Sequence, residues 1–148
     1  MKPVPLVCIV DDRADYRLLL QKILSLTCPQ HSLSLFTSGE ALLEAMTKLV
    51  PLPSFVLLDR QIPGIGGYQT LLRLKGHSIY RQIPVIMMSA QTSEQDLKAC
   101  YQAGANSFVR KPLDVDGLAH QLRAICHYWF TVNQFPLWRR FYFHRFLK

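Results

Sequence analysis

Three carboxylates, a hydroxyl and a lysine stand at the ends of four apolar runs. Asp11 and Asp12 follow "PLVCIV" (5–10), and Asp59 follows "SFVLL" (54–58). Ser89 closes "IPVIMMS" (83–89), and Lys111 follows "SFVR" (107–110). One acid at the end of a strand is ordinary turn or capping chemistry. A set of such residues after successive strands is different, because neighbouring strand ends meet at one edge of a sheet. Three carboxylates gathered there repel one another unless a cation sits among them. A hard divalent ion with oxygen ligands meets that need, and Mg²⁺ is the usual choice where phosphate is also present. Lys111 adds a compact positive charge suited to a phosphoryl oxygen. Ser89 adds a hydroxyl donor.

The elements that must position these groups follow from hydrophobic period. "DYRLLLQKILSLT" (15–27) predicts a helix with Leu18, Leu19, Ile23, Leu24 and Leu26 on its apolar face. "HSLSLF" (31–36) alternates as a strand does. "SGEALLEAMTKL" (38–49) predicts a helix with Ser38 as N-cap. "GYQTLLRLK" (67–75) predicts a short helix. "SEQDLKACYQA" (93–103) opens on Ser93 and Asp96 at capping-box spacing, with Gly104 placed for its C-cap. "DVDGLAHQLRAICHYW" (114–129) predicts a last helix, weakened by Gly117. Five β-α units with near-continuous apolar strands predict an α/β fold, a doubly wound five-stranded parallel sheet. Sites in such sheets form beyond the carboxyl ends of the strands, where the five polar groups fall.

"CIVDD" (8–12), "LLDRQIPG" with "GG" after it (57–64, 66–67), "MMSA" (87–90) and "FVRKP" (108–112) resemble the signature of bacterial two-component response regulator receiver domains, the chemotaxis-regulator type. The resemblance spans roughly residues 4–128. It implies a flavodoxin-like (βα)5 fold with strand order 2-1-3-4-5. It implies that Asp59 is the phospho-acceptor and that Mg²⁺ is held by Asp12 directly, by Asp11 through water, by Asp59 and by the backbone carbonyl of Gln61. Ser89 and Lys111 would hold phosphoryl oxygens, and Phe108 matches the aromatic switch position that follows Ser89. The implied donor is a sensor histidine kinase, and the implied output is contact with a downstream protein. On this reading the chain is not an enzyme beyond its own phosphotransfer and dephosphorylation. Two other functions compete. One is a phosphorelay intermediate passing the group to a histidine phosphotransfer protein. The other is an aspartyl-phosphate hydrolase of the dehalogenase type, which wants its nucleophile after strand 1 and a second acid two residues later.

The sequence also departs from that signature. Ile62 precedes Pro63 where Met is common, and Gly66 stands where a polar residue is expected. Gly66-Gly67 predicts a looser loop without a side-chain cap. Gln61 and Gln91 are neutral amides flanking the path of attacking water.

Charge divides the chain. Of its 148 residues, 1–126 hold 13 Lys+Arg and all 10 acids, whereas 127–148 hold four cations and no acid. The basic excess therefore describes a tail, not a nucleic-acid-binding body. We expect a receiver domain over 1–130 and an aromatic, basic C-terminal extension over 131–148, with "TV" (131–132) extended and a break at Pro136. "YWFTVNQFP" after helix 5 resembles the extension of stand-alone regulators of the bacterial-phytochrome type. That resemblance implies a homodimer through helix 4, strand 5, helix 5 and the extension. "WRRFYFHRFLK" (138–148) mixes five aromatics with four cations, a mixture that also suits an anionic membrane surface or nucleic acid. Folding onto the body or a dimer partner is favoured, since so many bare aromatics make a sticky monomer. No DNA-binding segment is legible. No apolar run approaches the roughly 20 residues of a membrane span, and the first run is too short for a signal peptide, so a cytoplasmic location is expected. Four cysteines without a CxxC predict separate reduced thiols. His120 and His127, seven apart on one helical face, read as surface or interface.

Overall fold

The computed structural model describes residues 4–49 and 51–136. The apolar runs become strands β1 (Leu6–Val10), β2 (Ser32–Phe36), β3 (Phe55–Asp59), β4 (Val85–Ser89) and β5 (Ser107–Arg110). They form one parallel sheet in the order β2-β1-β3-β4-β5. Between and after them run helices α1 (Ala14–Thr27), α2 (Gly39–Met46), α3 (Gly66–Gly76), α4 (Glu94–Gln102) and α5 (Val115–His127). The fold class and strand order are those the sequence predicts. The three inner strands are buried along their whole length, while the edge strands β2 and β5 are only partly covered. That difference is why the inner strands read as unbroken apolar runs and β2 as an alternating one.

Strand alternation divides the core into two layers. Leu6, Cys8 and Val10 of β1 pack with Leu42, Met46, Leu71, Leu74 and Cys100 of α2, α3 and α4. Val7 and Ile9 point the other way, to Leu20, Leu24, Leu118 and Leu122 of α1 and α5. Each such buried side chain contributes about 1.5–3 kcal/mol. The α1 face is turned from the expected one: Leu20, Ile23 and Leu24 are buried, and Leu18 and Leu26 are exposed. With 3.6 residues per turn, Leu18 falls almost opposite Leu20 on the helix and Leu26 well off the buried stripe, so both face solvent.

Three helix starts are capped, the first two as predicted. Ser38 Oγ accepts from the Ala41 N–H at 3.1 Å. Ser93 and Asp96 form a reciprocal capping box. Asp114 Oδ1 accepts from the Gly117 N–H at 2.5 Å. A Cβ on Gly117 would lie 2.9 Å from that same oxygen. The glycine that lowers helix propensity thus leaves room for the cap.

The chain departs from the expectations in three places. A 3-10 turn, Tyr80–Gln82, precedes β4. It is held by Lys75, whose Nζ donates to the Arg81 carbonyl (3.1 Å), the Ile83 carbonyl (2.8 Å) and Asn106 Oδ1 (2.9 Å). α2 stops at Met46, short of residue 49. After α5 the chain continues as a π-helical turn, Tyr128–Val132, so Thr131 and Val132 are helical instead of extended. The wider turn seats Phe130 on His31 (ring centroids 5.6 Å apart) and on Phe55 (5.4 Å). The thiols are all free, as expected, but Cys28 and Cys126 are neighbours, not separate. Burial first, and then the hydrogen bond with Cys28, push the Cys126 thiol up. His120 and His127 are exposed. Among the described residues no helix is long and apolar enough to cross a membrane. The run 138–148 lies outside the described residues.

Candidate functional site

Register assembles the site. Val10 of β1 lies opposite Leu58 of β3, so Asp11, one step on, comes level with Asp59. Both acids are buried, while Asp12 beside them is exposed. Carboxylate oxygens of Asp11, Asp12 and Asp59 lie within 4.8 Å of one another. Lys111, just past the end of β5, reaches across the sheet edge. Its Nζ donates to Asp11 Oδ2 and to Asp59 Oδ2, each at 2.8 Å. The Gln61 N–H donates to the other oxygen of Asp59, Oδ1, at 2.9 Å. The Asp59 carboxylate is therefore held by a separate donor on each oxygen.

Electrostatics follow from burial and pairing. Burial is the largest influence on Asp59 and lifts its carboxyl above the usual range, although Lys111 and the Gln61 N–H pull the other way. Burial also disfavours the Lys111 ammonium, but its bonds to Asp11 and Asp59 together outweigh that and raise it above its ordinary 10.5. Three carboxylates and one ammonium leave two negative charges uncompensated. The donors are all oxygen, and the exposed Asp12 keeps one side open to water. That set fits a hard divalent cation.

The remaining predicted residues fall as follows. Ser89 is fully buried at the end of β4, and its hydroxyl donates to the Gln91 carbonyl. Phe108 is half-buried on β5 and packs against the α2–α4 layer of the core. Its N–H donates to the Tyr101 hydroxyl at 3.2 Å. Gln61 reaches the site through its N–H; its carbonyl has a metal role by resemblance alone.

Other residues at the site were not singled out by their sequence pattern. Lys111 Nζ lies 4.2 Å from the centre of the Tyr16 ring, and the Tyr16 hydroxyl is buried with no hydrogen-bond partner among the described residues. Arg17 Nη1 donates to the Asp11 carbonyl at 2.7 Å, and the Arg13 N–H to Asp11 Oδ1 at 2.9 Å. Arg60 pairs with Asp96 of α4 at 3.2 Å, tying the acceptor loop to that helix. One signal pointed to Tyr16 and Arg17: a helix starting directly after a strand-end acid turns its first-turn side chains back toward the sheet edge.

Residues 7–123 match the response regulator receiver domain family. This chain belongs to that family. It is 35% identical over 85 residues to a probable methanogenesis regulatory protein, FilR2, of Methanothrix harundinacea (strain 6Ac), covering 57% of this chain and 55% of that protein. It is 35% identical over 121 residues to the DNA-binding transcriptional regulator NtrC of Klebsiella pneumoniae, covering 81% of this chain and 24% of that one. The chain thus spans about half the length of one relative and a quarter of the other. Its fold is similar to that of the phosphorylated cyanobacterial phytochrome response regulator RcpA, with a TM-score of 0.84 at 20% identity over 90% of this chain and 99% of that one. The Mn²⁺-bound form of response regulator Rcp1 superposes with a TM-score of 0.80 at 23% identity, over 89% and 99%. A receiver is the phospho-acceptor domain of two-component signalling, and the acidic edge of this sheet is where such a reaction would be sited.

Proposed function

We propose that this receiver takes a phosphoryl group from a histidine of a sensor kinase onto Asp59 and signals by contact with another protein. The observation that carries the proposal is Lys111 bridging two buried carboxylates at 2.8 Å each, with a third carboxylate beside them. An Asp59 oxygen attacks phosphorus, the P–N bond to the donor imidazole breaks, and its electron pair stays on that nitrogen. The product is an aspartyl acyl phosphate. Phosphoryl transfer needs alignment and charge neutralisation more than covalent help from the protein. The Gln61 N–H and Lys111 fix the direction of the carboxylate, and Lys111 is placed to follow the charge onto a phosphoryl oxygen. Asp11, Asp12, Asp59 and the Gln61 carbonyl would hold Mg²⁺, which neutralises charge on the phosphoryl oxygens. Ser89 would leave Gln91 for the phosphoryl group, and Phe108 would move with it. On this reading the chain acts on no outside substrate beyond its own phosphotransfer and hydrolysis.

Beside that output we infer a homodimer through α4, β5, α5 and the extension, as the resemblance to stand-alone regulators of the phytochrome type implies. Supporting it, Tyr101 of α4 and Leu113 and Val115 at the start of α5 expose apolar surface around β5. Two experiments test these readings. With acetyl phosphate and Mg²⁺ the protein should gain the mass of one phosphoryl group, and Asp59→Ala should gain none. Equal gain by the variant would overturn the acceptor assignment. Removing residues 134–148 should turn a dimer into a monomer in light scattering, and an unchanged mass would remove the extension from the interface.

A further inference from the structure

We infer that Glu40 is a positioning residue for the acceptor site, latching the loop between β3 and α3 from the first turn of α2. The inference rests on the phospho-acceptor reading, because it concerns how Asp59 and its loop are held. That loop is weak by itself. Gly64 (φ +74°) and Gly66 (φ +81°) adopt backbone conformations that other residues avoid. Ile65, the N-cap of α3, provides no side-chain cap; the Gly67 N–H of the first turn donates to the Arg60 carbonyl at 3.2 Å, whereas the Ile65 N–H finds its acceptor outside the loop.

The missing partner comes from across the fold. Glu40 Oε1 accepts from the Ile65 N–H at 2.6 Å, a charge-assisted bond. A Cβ on Gly64 would lie 2.6 Å from each Glu40 carboxylate oxygen, so the glycine makes the space that the carboxylate fills. The two helices meet closely just behind it. A Cβ on Gly39 would sit 1.8 Å from Thr70 Oγ1, and that hydroxyl donates to the Gly66 carbonyl at 2.7 Å. On the far side a Cβ on Gly67 would lie 2.3 Å from the Asp59 carbonyl oxygen. The start of α2, the start of α3 and the end of the acceptor strand therefore interlock, with Glu40 as the charged contact. Within the double glycine, Gly67 is packed against the end of the acceptor strand, while Gly66 has open space beside it and is required by its backbone conformation. Through this loop Glu40 sets the Gln61 N–H that holds Asp59 Oδ1, and with it the direction of the nucleophile.

The full chain tests this with Glu40→Ala, which removes the acceptor, and Glu40→Gln, which keeps an uncharged one. Glu40 is exposed, so neither change opens a core cavity. In metal-free protein, Glu40→Ala should speed amide exchange at Ile65 about tenfold or more, with distant core amides unchanged. Mg²⁺ binding by calorimetry should weaken and the initial rate with acetyl phosphate should fall, each severalfold. Glu40→Gln should lie between the variant and the parent on all three. Unchanged exchange at Ile65 in Glu40→Ala overturns the latch, as does acceleration spread evenly over the whole fold. Failure of the parent protein to accept phosphate would instead overturn the acceptor reading, leaving the exchange result to judge the latch.

Discussion

Replacing the acceptor should make the protein more stable, by an amount that can be worked from the site. Asp59 is 6% exposed, and its oxygen lies within 4.8 Å of one on Asp11 and one on Asp12. At an effective dielectric of about 20, repulsion from Asp11 is about 3.5 kcal/mol, and the exposed Asp12 adds less. Attraction to Lys111 at 2.8 Å is about 6 kcal/mol on the same scale. The charge interactions nearly cancel, which leaves the burial of the carboxylate, costing several kcal/mol, largely unanswered. Asn keeps the shape and one acceptor oxygen without that cost. Asp59→Asn should therefore gain about 1–3 kcal/mol, a rise in Tm of about 3–10 °C for a chain of this size. The pH dependence has a definite sign. Asp59 is raised in the folded state, so the folded protein binds the proton more tightly than the unfolded chain, and parent stability rises as pH falls through the folded value. The gap between variant and parent should be widest at neutral pH and close toward acid. Added Mg²⁺ should also narrow it, by binding the parent more tightly. Thermal melts in chelator followed by circular dichroism provide the assay. A variant that melts at or below the parent at neutral pH refutes the reasoning.

Other contacts give further expectations. Tyr16→Leu takes the ring from beneath Lys111, an interaction of about 1–2 kcal/mol, and should slow acetyl-phosphate labelling severalfold; Tyr16→Phe should label normally. Lys75→Met strips the donor from two carbonyls and Asn106, and should cost about 2–4 kcal/mol in denaturant melts with little change in labelling rate. Gly39→Ala drives a methyl into Thr70 and should destabilise by about 1–3 kcal/mol; adding Thr70→Ala should recover part of the loss.

The sheet was legible because β1, β3 and β4 are covered on both faces, and such strands leave unbroken apolar runs in the sequence. Asp11, Asp12, Asp59 and Lys111 were legible for a related reason: each ends or follows a strand, and strand ends share an edge. The capping box at Ser93 is local chemistry and appeared as read. What was hidden depends on contacts between distant segments. Glu40 looks like any exposed helical acid until the β3–α3 loop is laid against it. Tyr16's place in the first turn of α1 points only to the sheet edge, since its partner Lys111 is far along the chain. The turn at Tyr80–Gln82 exists because Lys75 caps its carbonyls, and no local pattern announces that. The α1 face was misjudged because Leu is spread around much of that helix, and Leu18 and Leu26 fall outside the period shared by Leu20, Ile23 and Leu24. At the double glycine the sequence showed the missing side-chain cap, but not Glu40, which reaches the loop from α2.

The central claim is that Asp59 carries the phosphoryl group. Protein treated with acetyl phosphate and Mg²⁺ can be reduced with borohydride, which converts an aspartyl phosphate to homoserine, and then digested and sequenced by mass spectrometry. The account predicts homoserine at position 59 alone, dependent on Mg²⁺ and on Lys111. Homoserine at Asp11 or Asp12, or an unmodified Asp59 in protein that has taken up phosphate, would contradict it.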